Sequence, residues 1–279
     1  DENIAIGVRS LSEYYGPINE SGAPVNNQNI AIGTDSMTHA SGLYRCVALG
    51  DGALSYASGW IGTPGVSINT KQQGAIAIGY QAASYSFNGG YNVSIGHSAG
   101  YKASGTSSAV NIGRYAGMTA NSYGVGNHIN IGEYAGYRSV TSHNNIFIGK
   151  DAGRYAGLSG LSDDHDNTGL GTLAMYNASG ITMSIAIGYA AAQNRNGASS
   201  SGVADGDKNI MIGYGAGAYG RGSDNTFIGY TAGYNQKLSK AIVIKHGGYD
   251  AFSNTTWINS GVPEEYTVSL GRGFYQAKE

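Results

Sequence analysis

The chain has 279 residues, with 46 glycines, four prolines, one cysteine and a formal net charge of -2. That balance offers no basic footprint for nucleic acid or an anionic membrane surface, and it lacks both the one-in-three glycine of collagen and the proline richness of a disordered linker. One cysteine excludes an intrachain disulfide and a cysteine-based zinc site within one chain, and no run of eighteen apolar residues is present that could insert into a membrane as a helix.

From its first residues the sequence repeats one phrase: a polar residue, a hydrophobic-small-hydrophobic triplet and a glycine. It begins at Ile4-Ala-Ile-Gly7, behind Asp1-Glu2-Asn3, which is not a signal-peptide n-region and is expected of a processed or excised chain. An insertion over residues 8–28 separates it from Asn29-Ile-Ala-Ile-Gly33 and Arg45-Cys-Val-Ala-Leu-Gly50, where Cys46 reads as a small buried hydrophobe. A second insertion, 51–74, holds Tyr56 and Trp60. Ala75-Ile-Ala-Ile-Gly79 and Asn92-Val-Ser-Ile-Gly96 then set a spacing of 17 residues that Gly113 repeats, and Gly132 and Asn145-Ile-Phe-Ile-Gly149 continue the series.

The stretch 157–168 carries Asp163-Asp164-His165-Asp166 before the copy ending at Gly171. Ser184-Ile-Ala-Ile-Gly188, an insertion at 191–208, Asn209-Ile-Met-Ile-Gly213 and Asn225-Thr-Phe-Ile-Gly229 follow. At Ile242-Val-Ile-Lys245 lysine replaces the glycine, and beyond it 246–265 holds Trp257 before a last marker at Gly271.

About thirteen glycine-closed copies of a short strand predict an all-β fold, a parallel β-solenoid with one coil per copy. The repeat domain is expected over residues 1–245, with 246–279 as a degenerate terminal repeat or cap. A rod on the order of 60 Å follows from a coil spacing near 4.8 Å. Alternation in Ile76-Ala77-Ile78 puts both isoleucines on one face, which is expected to be the core. Glycine after each strand permits a sharp turn, and alanine three residues later, at Ala53, Ala82, Ala174 and Ala191, marks a slot too small for a larger side chain. Asn29, Asn92, Asn145, Asn209 and Asn225 are placed to form a ladder that satisfies backbone groups at the corner. So thin a coil buries little and has two raw edges, which a homotrimer would cover.

The phrase Asn-Ile-Ala-Ile-Gly with a following alanine resembles the head repeats of trimeric autotransporter adhesins. Its tyrosine-rich form, as in Gly79-Tyr-Gln-Ala-Ala83 and Gly229-Tyr-Thr-Ala-Gly-Tyr234, is similar to the head-type repeats of bacteriophage tail fibres, over roughly residues 3–245. The resemblance implies a left-handed β-roll and a trimer. The 17-residue spacing is longer than that of autotransporter heads and favours the fibre. Fibres of this kind are often followed by a self-cleaving chaperone, which makes Gln276–Glu279 a candidate processing point.

Two features point to ligands. Many tyrosines recur at equivalent repeat positions, and an exposed row of them would offer flat apolar faces with hydroxyls beside them, suited to sugar rings. Loops on a rigid scaffold carry binding, so Tyr56, Trp60, Tyr85, Tyr91 and Trp257 are the candidate ligand contacts, each of which could instead anchor its own loop. Asp163, Asp164 and Asp166 form a carboxylate cluster that would take calcium if it takes a metal, although adjacent loop acids are usually only solvated. No other cofactor is expected, and no nucleophile, base and orienter come together in the sequence. The expected function is non-enzymatic: a receptor-binding protein of a phage tail fibre, located on the virion, that recognises host surface glycan or an outer-membrane target. The alternative is a bacterial cell-surface adhesin or structural filament subunit.

Overall fold

The computed structural model describes residues 2–13, 28–57, 72–87, 90–103, 108–119, 126–139, 143–156, 165–178, 180–194, 206–236, 238–245 and 267–270. They belong to two compact units, Asp1–Asn144 and Asn145–Glu279. Among the described residues there is no helix, and every strand pairing recorded is parallel.

The first unit contains β1 (Ile4–Ile6), β2 (Ile30–Ile32), β3 (Leu43–Tyr44), β4 (Val47–Leu49), β5 (Gln72–Gln73), β6 (Ile76–Ile78), β7 (Val93–Ile95), β8 (Val110–Ile112) and β9 (Ile129–Ile131). Its main sheet runs β1-β2-β4-β6-β7-β8-β9, and β3 and β5 make a second small sheet. The second unit contains β10 (Ile146–Ile148), β11 (Thr168–Leu170), β12 (Ile185–Ile187), β13 (Ile210–Ile212), β14 (Thr226–Gly229), β15 (Ala241–Lys245) and β16 (Thr267–Leu270), in that spatial order. Each copy supplies one strand that lies beside the strand of the next copy. Each unit is therefore a parallel β-solenoid, as the glycine spacing predicts.

Register is set residue for residue. Ile76 pairs with Val93, Ala77 with Ser94 and Ile78 with Ile95, so equivalent positions stack in columns. The expectation about the core is overturned here. Ala77 is fully buried whereas Ile76 is 37% exposed, and the same holds for Ala186 between Ile185 and Ile187. The middle residue points into the coil and the flanking isoleucines point out.

The physical reason is width. The interior opposite each strand centre is filled by the fourth residue after the closing glycine; in several coils the two positions compensate in size, and in the coils of Ala77 and Ala186 both are alanine, Ala83 and Ala192. Alanine at Ala31 and Ala48 faces Met37 and Leu54, all fully buried. Where the centre is large the opposing residue is glycine, so a Cβ on Gly153 would lie 2.3 Å from the Phe147 ring. Gly217 stands in the same way against Met211, Gly233 against Phe227, and Gly117 against Asn111. An interior that closes over at most one large side chain per coil, and over two alanines in some, cannot admit two isoleucines from the strand as well.

The turn after each strand alternates backbone sign. In the copy closed by Gly79, Gln81, Ala83 and Tyr85 all sit near φ +50 to +55°. Left-handed backbone costs a side-chain-bearing residue about 1–2 kcal/mol. It is offset by hydrogen bonds between coils: the N–H groups of Gln81 and Tyr85 donate to Asp51 and Ser55 of the preceding coil, and that of Ala83 donates to Ala99 of the following one. Between them, Ala82 and Ser84 donate back to Gly79 and Gln81 of their own coil. No donor in the turn from 81 to 85 is left over.

Two positions in each coil are tightly dictated. The closing glycines adopt φ of about +130°, and a Cβ on Gly96 would come within 2.7 Å of the Gly113 carbonyl oxygen. The asparagines before the strands are buried and laddered as expected: the Oδ1 of Asn29 accepts from Cys46 N–H, that of Asn145 from Asn167 N–H and that of Asn209 from Asn225 N–H, each at 2.9 Å. The alanines three residues after glycine, Ala53, Ala82, Ala174 and Ala191, are all fully buried.

Candidate functional site

Because coils repeat at nearly the thickness of two stacked rings, aromatic residues at equivalent positions meet face to face. In the first unit the sixth residue after the closing glycine is His39, Tyr56, Tyr85 and Lys102 in successive copies. His39 and Tyr56 stack with ring centroids 4.6 Å apart, and Tyr56 and Tyr85 stack at 4.7 Å with their planes within 6°. Glu13 pairs with His39 at 2.8 Å at one end of this column. At the other end the stacking breaks, since Tyr101 meets Tyr85 at 65° and 5.6 Å.

The sequence candidates Tyr56 and Tyr85 are thus brought together, and Tyr56 is 42% exposed. Tyr91 stands apart, five residues before Gly96; its ring lies against Gly74, where a Cβ would be 3.1 Å from Cδ1, and it makes no ring contact with the column. Trp60, Trp257, Asp163 and Asp164 lie outside the described residues. Asp166 is described and sits 2.9 Å from the neighbouring His165 ring nitrogen. Among the described residues no three His, Cys, Asp or Glu side chains converge as metal ligands would.

A second column in the first unit links Tyr80, His97, Tyr115, Tyr134 and Tyr137, and the second unit stacks Tyr189, Tyr214 and Tyr230 at 5.1 and 5.0 Å. These contacts change the expected chemistry of the tyrosines. In a stack the ring faces cover one another, so what reaches solvent is a row of ring edges and hydroxyls instead of flat faces. Among the described residues, open aromatic face remains where a stack ends or turns and on rings outside the stacks, such as the exposed Tyr91.

Charge follows the columns. Arg9 donates two hydrogen bonds to Asp35, 2.5 and 2.6 Å, which hold the Asp35 carboxyl below its ordinary value. Arg114 pairs with Glu133 beside Tyr115 and Tyr134, and Arg154 donates to Asp151 at 2.7 Å. Lys102 has no carboxylate partner among the described residues. Its ammonium lies 5.9 Å from the Tyr85 centroid and 5.4 Å from that of Tyr101. Cys46 is buried, and burial pushes its thiol up, away from the reactive thiolate.

Sequence reasoning missed His39, Lys102 and Glu13. Counting from the closing glycine would have found them, because all three share the sixth position with Tyr56 and Tyr85. Compared with known family models and with curated proteins, the sequence matches none.

Proposed function

We propose that the chain is the adhesive, receptor-binding part of a bacteriophage tail fibre, a homotrimer that attaches to host surface glycan or to an outer-membrane component. The observation that carries this reading is the outward isoleucine face. In the second unit Ile185 and Ile210 form one exposed ladder and Ile187, Ile212, Ile228 and Ile244 another. Regular apolar rows of this kind mark an association surface. Burying them against identical rows would contribute about 25 cal/mol per Å². Three copies would then display every aromatic column three times, and weak contacts to a repetitive glycan would add through effective concentration.

Light scattering on the purified chain tests the assembly, and a trimer is the expected mass. Adsorption of the labelled chain to a panel of Gram-negative strains with intact and truncated surface polysaccharide tests the attachment. Saturable adsorption that disappears on truncation is the expected result. A monomeric chain that adsorbs to no strain would end the proposal.

A further inference from the structure

The column of the first unit has one place where its pattern changes. From His39 through Tyr85 the rings stack, and their faces are used up on each other. Between Tyr85 and Tyr101 the rings turn to 65°, which leaves a corner in place of a stack. Lys102, exposed and one residue beyond Tyr101, holds its ammonium over both rings of that corner. Its backbone is fixed: φ is +53° and its N–H donates to Ser84 at 2.9 Å. The base of the side chain is therefore set by the coil.

Lys102 differs from the other cations that lie near tyrosine rings: Arg45, 4.8 Å from the Tyr44 centroid, donates to the Gln28 side chain, whereas Lys102 faces two rings at once. Arg9, Arg114 and Arg154 each hold a carboxylate from this chain, and Glu13 at the opposite end of the column is engaged by His39. Lys102 is a cation in an aromatic setting whose charge no described carboxylate answers. An aromatic wall with one uncompensated ammonium suits a ligand that is apolar on a ring face and anionic at one substituent. A pyranose bearing a carboxylate has that chemistry, with axial C–H bonds for the tyrosine and an anion for the lysine.

We infer that Tyr85, Tyr101 and Lys102 form a subsite for an acidic saccharide, a uronic or nonulosonic acid residue, with the Tyr56 edge and hydroxyl alongside for the next sugar. The inference rests on the adhesion reading above and adds the sugar class and the residues. Neutral sugars of the same shape bind this corner less well, because they leave the ammonium unanswered.

The test is calorimetric titration of the full chain with α-linked tetragalacturonate and with the same oligomer after reduction of its carboxyls to primary alcohols. A tetramer of N-acetylneuraminic acid forms a second acidic arm. Binding of at least one acid is expected, weakened about tenfold or more by carboxyl reduction and by Lys102→Gln, restored largely by Lys102→Arg, and weakened by raised salt. Equal binding of the reduced oligomer, binding indifferent to Lys102→Gln, or no binding of either acid would overturn the subsite. Adsorption to intact bacteria is scored in parallel. A chain that adsorbs yet ignores both acids loses the subsite and keeps the adhesion reading. A chain that binds an acid through Lys102 but adsorbs to no strain does the reverse.

Discussion

Gly153 lacks a side chain because the Phe147 ring occupies the space where its Cβ would be, 2.3 Å away. The pair inverts the arrangement at Ala48 and Leu54, where the small residue is in the strand and the large one in the turn. Gly153→Leu is expected to destabilise the chain by about 2–4 kcal/mol, since overpacking adds to left-handed strain. Phe147→Ala alone should cost about 3–5 kcal/mol through the cavity it leaves. Combined as Phe147→Ala with Gly153→Leu, the two should cost clearly less than their sum. Additive losses in thermal or urea denaturation would refute size compensation.

The buried Asn209 accepts from the Asn225 N–H and donates to the carbonyls of Gly206 and Gly222 at 3.0 and 2.9 Å. Asn209→Ala would leave the Asn225 N–H and the Gly206 carbonyl without this buried partner, at a cost of about 1–3 kcal/mol. Asn209→Asp keeps the shape but removes both donors and places a carboxylate in a buried corner, so it should be worse than alanine at neutral pH. Denaturation midpoints of the three proteins give the order directly.

Met211 and Ile212 are neighbours with opposite duties, the first buried in the coil and the second on the outward face. Met211→Lys should abolish folding, read as loss of the β-type circular dichroism signal. Ile212→Lys should leave that signal intact and reduce the mass of the assembly in light scattering. An Ile212→Lys protein of unchanged mass would mean that the ladder is not an association surface.

Arg9 and Asp35 give a pH signature. The folded-state value of the Asp35 carboxyl is depressed by the Arg9 hydrogen bonds, so the pair contributes stability that is present above the unfolded carboxylate value, ~3.9. That contribution is lost as pH falls through the lower folded value. Arg9→Ala should therefore flatten the stability profile below about pH 4 and lower the plateau above it, with a small amplitude because the pair faces solvent. Melting temperatures between about pH 2 and 6 check this, and an acid limb identical to the parent would count against the pairing.

Much of this was readable from recurrence. Ala82 and Ala174 mark their slots because a small residue returns at the same offset from glycine, and the Asn29 and Asn209 corners were placed by the same means. Which face of the strand lies inside was not readable from alternation alone. Ile76-Ala77-Ile78 defines two faces, and hydrophobicity favours the wrong one. The deciding signal lies in other copies, six residues downstream of the strand centre, where Ala48 is answered by Leu54 and Phe147 by Gly153. Read from the sequence, Tyr56 and Tyr85 belong to insertion loops, whereas both lie at the sixth position of the repeated turn, and their contact mode depends on the ring spacing matching the coil spacing, a three-dimensional quantity. The offset from Gly96 marks the position of Lys102 but not its role, which comes from the two rings it faces and from the absence of a carboxylate partner among the described residues.

The alternating turn fixes where the chain can change length. The six residues after each closing glycine and the five before it keep the same role in copies that follow one another after 16 residues, Gly213 to Gly229, and after 29, Gly50 to Gly79. All difference in copy length therefore falls in the interval between them. Peptides spliced into that interval alter what the surface displays while the hydrogen-bonded frame stays in phase, whereas a single residue added within the turn puts the later donors of that turn out of step.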